Sequence, residues 1–157
     1  MLVVAHFSVP FYSYYFTDRL LKKYKNEREL FVYSSLVGFA GMSPDILGIH
    51  LTLSARYNSF SHTFLAPLTA LLLSVLLVYF QQIPKRFLLW FPLAVSTHLF
   101  LDALSGGIRL FPSGGIIGND MIATYLWGFF EIFFFSLLII TYKHDMKKSV
   151  KKAEYYN

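Results

Sequence analysis

Five apolar runs divide this 157-residue chain, from about Leu2 to Phe16, Leu30 to Leu53, Thr63 to Phe80, Phe87 to Leu104 and Ile122 to Tyr142. Most approach the ~20 residues with which a helix crosses bilayer hydrocarbon, where every backbone polar group must be satisfied within the protein. Hydrophobic residues make up 55% of the chain and aromatic residues 19%, and the mean hydropathy is +0.49. Soluble domains of this size are less oily. The pattern predicts an all-α membrane protein, a small bundle of four to five transmembrane helices. The short first run is expected only to dip into the bilayer or to pack as a half-span.

The net charge is +5, and its placement says more than its size. Arg19, Lys22, Lys23, Lys25 and Arg28 lie in the first connection, Lys85 and Arg86 in the third, and Lys143, Lys147, Lys148, Lys151 and Lys152 at the end of the chain. Of the 14 basic residues only Arg56 and Arg109 fall in the second and fourth connections. Alternate threading therefore sets a basic side against a poor one, and the positive-inside bias makes the basic side cytoplasmic, with the N-terminus outside. Residues 1–142 then form the membrane domain and 143–157, "KHDMKKSVKKAEYYN", a basic cytoplasmic tail in which His144 and Asp145 are solvated. The bilayer, through its anionic headgroups, is the expected partner of this tail, and no nucleic acid is. The first residues carry no Lys or Arg and no small-residue cleavage site follows them, so the N-terminal run is expected to be retained. Cysteine is absent, which removes disulfides, thiolate metal sites and cysteine nucleophiles.

Within the second run, "GFAGMSPDILG" places Gly38, Gly41 and Gly48 around Pro44. Proline removes a backbone donor and disfavours helix at the residue before it, so this helix is expected to kink or end near Asp45. Irregular backbone at membrane depth survives only inside protein or beside water, which makes such a break a pointer to a site.

An Asp near the middle of a spanning helix costs about 2.5–3.5 kcal/mol on insertion scales, so an acid there needs a partner or a purpose. Asp45, Asp102 and Glu131 are such acids. At 1.5 Å per residue, Asp45 lies about 22 Å, His98 about 17 Å and Asp102 about 23 Å from the cytoplasmic start of their spans. His62 sits at the outer start of the third span, and His6 joins the group if the first run enters from outside. All fall in the outer half, although the orientation was taken from Lys and Arg alone. In "STHLFLDALSGG" His98 and Asp102 are four residues apart, on one helical face. One ion can take both, or His98 can simply hydrogen-bond Asp102 to neutralise it. Imidazole and carboxylate suit a divalent metal, zinc first and manganese or iron next, in a site with an open position. His50 is a spare ligand or an interfacial residue, and Glu131 a supporting partner or a protonated acid.

Other chemistries lack their residues. "SGGIRLFPSGGIIG" is glycine-rich but has no Gly-Lys-Ser/Thr ending and no preceding strand, so it reads as a helix C-cap and an outer loop. There is no Gly-x-Ser-x-Gly elbow.

Taken together, these polar islands resemble the YdjM-like family, described as inner-membrane-associated metal-dependent hydrolases and including a LexA-binding member. The early His of that family looks like His6, its Pro-Asp element like "SPDIL" with Pro44 and Asp45, its Thr-His-Ser element like "YNSFSHT" with His62, and its His-x-x-x-Asp element like "HLFLDALSGGIRLFP" with His98, Asp102, Gly107 and Pro112. The family's second acid falls on Leu47, and a leading His and Arg fall on Tyr57 and Asn58. The resemblance covers about residues 6–112 and implies metal ligation by His6, Asp45, His62, His98 and Asp102 in the inner membrane. A more distant similarity to zinc-dependent phospholipases C implies phosphoester chemistry.

The resulting expectation is a membrane-embedded metal-dependent hydrolase acting on a phosphoester or lipid at the outer face, with Asp45 or Glu131 accepting the proton of the attacking water. The alternative is a non-catalytic membrane scaffold in which the metal only fastens the helices. An ion carrier is disfavoured, because apart from Glu131 the inner halves of the spans hold few ionisable groups. The topology makes a direct prediction in this cysteine-free chain. Single cysteines near Gly114 and near Lys148 should react with an impermeant thiol reagent from opposite sides of the membrane, and labelling from one side would overturn the orientation.

Overall fold

A computed structural model describes residues 3–47, 59–111, 113–118 and 124–156. Among these residues five α-helices follow one another: α1 (Val3–Leu21), α2 (Glu27–Leu47), α3 (Leu65–Tyr79), α4 (Phe87–Leu104) and α5 (Thr124–Tyr156), with a 3-10 turn (Phe60–His62) ahead of α3. Among the described residues the only β pairing is the isolated bridge between Ile108 and Ile117. Two helices, α2 and α4, are long and apolar enough to cross a membrane, and α3 is apolar but shorter. The first run is not a half-length segment: α1 has 19 residues and continues past Phe16 to Leu21.

α2 is central, packing on α1, α4 and α5, while α3 packs on α4 and on the turn before it. Two aromatic-rich cores hold α2 in place. Phe11, Tyr12, Tyr15 and Leu30 are buried between α1 and α2, against Phe134, Leu137 and Leu138 of α5. Tyr14, Val37, Phe87 and Ala94 are buried among α1, α2 and α4. The outward faces are also apolar, with Leu72 58%, Leu89 76%, Phe129 63% and Ile132 70% exposed.

The glycines of α2 face α1. Pro44 sits inside α2, which runs on to Leu47, two residues beyond Asp45. Gly48 and His50 lie outside the described residues. A Cβ at Gly38 would lie 2.8 Å from the Phe7 ring, and one at Gly41 would strike the Pro10 ring and lie 2.6 Å from the His6 carbonyl. Spaced three apart on one face, these glycines let the backbone of α1 approach α2, as small residues do between membrane helices.

The end of the bundle opposite the start of α1 is tied by ionic contacts. Arg86 donates to Asp18 at 2.6 Å and to the Lys23 carbonyl at 2.8 Å, with its guanidinium 4.8 Å from the centre of the Tyr33 ring. Tyr15 donates to Asp145 at 2.9 Å. Asp145 is therefore fully buried rather than solvated, because α5 continues without interruption past Tyr142 and brings the carboxylate against α1. His144 beside it remains half exposed.

Gly41→Ala should lower stability by about 1–3 kcal/mol, since a backbone carbonyl and a proline ring cannot turn aside as a flexible side chain would. Gly128→Ala, whose Cβ meets nothing within 4 Å, should be neutral. Unfolding of both variants by denaturing detergent measures the difference; equal midpoints would contradict the close approach.

Candidate metal centre

The alternating direction of the helices brings the start of α1, the end of α2, the turn before α3 and the end of α4 to one end of the bundle. Each delivers part of a cluster: His6 from α1, Asp45 from α2, His62 from the turn, and His98 and Asp102 from α4. Asp45 is 7% exposed and the other four residues 1% or less.

The contacts share a centre. His62 Nε2 lies 3.3 Å from His98 Nε2, 3.2 Å from Asp102 Oδ2 and 3.4 Å from Asp45 Oδ1. His98 Nε2 lies 3.3 Å from Asp102 Oδ2 and 3.8 Å from Asp45 Oδ1. Charge-assisted hydrogen bonds are shorter, about 2.7–2.9 Å. A tetrahedral ion with bonds of about 2.0–2.1 Å spaces its donors about 3.3–3.4 Å apart, which is close to these separations. Two imidazole nitrogens face each other as well, an arrangement that needs either a proton or a cation between them. The donors are nitrogen and oxygen only, a set that fits zinc, manganese or iron.

His6 completes the cluster from the side. Its Nδ1 is 3.1 Å from Asp45 Oδ2 and its Nε2 is 3.5 Å from Asp102 Oδ1, so it bridges the carboxylate oxygens that the other two histidines do not use. Its ring lies 4.0 Å from that of His98. Two overlapping groups able to hold a metal result, His6 with Asp45 and His98, and His62 with His98 and Asp102.

Surrounding groups fix these side chains. Ser61 Oγ is 3.0 Å from His62 Nδ1, and Ser59 Oγ is 2.8 Å from Ser61 Oγ. This chain of hydroxyls holds one face of the His62 ring while Nε2 turns inward. Burial alone would drive the proton from His62, but hydrogen bonding to Asp102 and Asp45 outweighs it and raises the proton affinity above the ordinary value. The carboxylates that attract a proton there are the same ones that would attract a metal ion.

Glu131 lies outside the cluster. Its carboxylate accepts from the amides of Val4 at 2.9 Å and Ala5 at 3.2 Å, two of the unpaired donors at the start of α1. It thereby anchors the turn that carries His6. At the end of α4, the amides of Ser105 and Gly107 bond the Asp102 carbonyl at 3.1 and 3.0 Å. Gly106 and Gly107 have φ of 123° and 84°, so the glycine-rich segment begins as a helix cap. It then folds back through the Ile108–Ile117 bridge.

Ser61 and Ser59 are the supporting residues that the sequence pattern did not single out; a hydroxyl immediately before His62 in "YNSFSHT" was the available signal. His50, Tyr57 and Asn58 lie outside the described residues. Compared with protein-family models, curated proteins and solved structures, the chain matches none.

Partners that orient a ligating imidazole are typically worth about 10–100-fold in metal affinity. Ser61→Ala should therefore weaken zinc binding by about that factor, with a smaller effect for Ser59→Ala. Competition against a chromogenic chelator reads the change, and unaltered affinity in Ser61→Ala would show that the hydroxyl does not orient His62.

Proposed function

We propose that the chain is a membrane-embedded metal-dependent hydrolase whose centre is formed by His6, Asp45, His62, His98 and Asp102. The observation that carries this reading is the convergence of His62 Nε2 and His98 Nε2, 3.3 Å apart, with Asp45 Oδ1 and Asp102 Oδ2 each within 3.2–3.8 Å of both. Two buried carboxylates facing histidines form a pocket of negative charge that a divalent ion would neutralise, and zinc is the first choice for this donor set. When bound, such an ion supplies an activated water and a Lewis acid for a carbonyl or phosphoryl centre.

The chain's own groups divide the remaining work. His62 is oriented by Ser61, and His98 and Asp102 are presented together on one face of α4. Asp45, the most exposed of the five, is placed to take the proton of the attacking water. His6, hydrogen-bonded to Asp45, would spread the charge that this proton brings. Glu131 acts through the start of α1 as a positioning residue for His6.

The membrane location rests on the two long apolar helices and on apolar outer faces that an aqueous surface would not tolerate over such an area. On the charge pattern, the cluster lies at the outer end and the basic connections at the cytoplasmic end of an inner-membrane protein. The residue pattern shared with the YdjM-like family supports the hydrolase reading, and a phosphoester or lipid ester is the proposed substrate. The burial of the cluster favours a second reading, a scaffold in which the metal only fastens α1, α2 and α4.

Elemental analysis of the detergent-purified protein separates these from a metal-free cluster. Near-stoichiometric zinc, manganese or iron is expected in the wild type, falling at least tenfold in Asp102→Asn and His98→Ala while membrane insertion is retained. Unchanged metal in both variants, or none in the wild type, would remove the centre. Metal-dependent release of product from phosphomonoester, phosphodiester and lipid ester substrates then distinguishes hydrolase from scaffold.

A further inference from the structure

Three histidines reach the cluster, but they do not stand in the same relation to its carboxylates. His62 Nε2, His98 Nε2 and Asp102 Oδ2 form a triangle with sides of 3.2, 3.3 and 3.3 Å. Asp45 Oδ1 lies 3.4 Å from the first of these nitrogens and 3.8 Å from the second. His6 meets the other oxygen of each acid: its Nδ1 is 3.1 Å from Asp45 Oδ2 and its Nε2 3.5 Å from Asp102 Oδ1. Each carboxylate turns one oxygen to the His62–His98 pair and one to His6.

The ring positions separate the histidines independently. An imidazole binds a metal in the plane of its own ring, so two of them on one tetrahedral ion, with bonds of about 2.0–2.1 Å, hold their ring centres about 5.2 Å apart. At the right angle of an octahedral ion the centres are still about 4.5 Å apart or more. The His62 and His98 rings are 5.2 Å apart and inclined at 62°. Those of His6 and His98 are 4.0 Å apart and inclined at 39°, nearer to stacking than to convergence. To share an ion with His98, the His6 ring would have to swing outward and give up a carboxylate.

We infer that His6 is a positioning residue for both acids rather than a metal ligand: it holds the far oxygens of Asp45 and Asp102, turns their near oxygens toward the His62–His98 pair, and leaves His62, His98 and Asp102 to hold the ion. The role rests on the metal reading of the cluster and is independent of whether the centre hydrolyses anything. A residue that orients two others needs a fixed backbone, and His6 has one. Glu131 takes up the amides of Val4 and Ala5 just before it, and the His6 carbonyl lies against the bare face of Gly41.

Scalar coupling between histidine nitrogens and a bound metal tests the assignment directly. The full chain in detergent micelles, carrying nitrogen-labelled histidine and a spin-half cadmium isotope in place of zinc, has five histidines to resolve. The Nε2 signals of His62 and His98 should be split by the metal and both nitrogens of His6 should not. Coupling at either His6 nitrogen would overturn the inference and leave the metal centre standing. A wild-type protein that takes up neither cadmium nor zinc would remove both.

Variants supply a second readout. His6→Ala should keep one equivalent of zinc but bind it about 10–100-fold more weakly, the usual cost of losing a group that orients ligands. His6→Asn, whose side-chain amide can take the place of Nδ1 beside Asp45, should recover part of that loss. The couplings at His62 and His98 should persist in both. Unchanged zinc affinity in both variants would show that His6 does not position the acids, and the wild-type spectrum alone decides its ligation should the variants fail to fold.

Discussion

Two aspartates and three histidines packed almost out of contact with water set the terms for this fold. Two ionised carboxylates in a medium of low dielectric carry a charge that the surrounding Phe, Leu and Val cannot answer. Only protons on the histidines or a bound cation can. A divalent ion closes the balance with the imidazoles neutral, the form in which they are ligands. Protons close it only by charging two of the three histidines, which lie against the same carboxylates. Removing one member of such a set leaves the others uncompensated, and that asymmetry makes buried charge clusters sensitive to a single substitution.

Much of the remaining architecture keeps this cluster assembled. α1 must come close enough for His6 to reach Asp45, and the bare faces of Gly38 and Gly41 allow it. The first turn of α1 must not fray, and Glu131 takes up its amides. α4 must stop just beyond Asp102, and the glycine cap ends it there. At the other end, Arg86 with Asp18 and Tyr15 with Asp145 link α1 to α4 and to α5. The bundle is pinned at both ends by polar contacts and filled between them by aromatic rings.

The sequence carried the donors and their common end of the bundle, because both follow from local rules. An i, i+4 pair shares a helical face, and alternating basic connections fix which ends of the helices lie together. It did not carry what depends on contacts between distant positions. Glu131 meets Val4 and Ala5 across more than 120 residues, and nothing in "FFEIFFF" reveals that its carboxylate ends on another helix's amides. Asp145 looked solvated because it stands among lysines, yet the helix turns it onto Tyr15. Pro44 marks a kink or an end near Asp45, and the described helix runs to Leu47; that Gly38 and Gly41 admit α1 depends on a distant segment and is not legible locally.

The leucine at position 47 can be weighed in the same terms. Leu47 stands two positions after Asp45 on a continuous helix. Residues two apart on a helix point to different sides, and the structure agrees: Asp45 is 7% exposed and Leu47 81%. An acid at position 47 would face away from the cluster in this fold, so a leucine there subtracts no donor from the centre. What remains is two overlapping groups of three that could hold a metal, His6 with Asp45 and His98, and His62 with His98 and Asp102. Two ions would both draw on His98, with only two carboxylates to balance four positive charges. One ion leaves no excess charge and gives His6 a separate task beside Asp45. The charge count therefore favours a mononuclear centre.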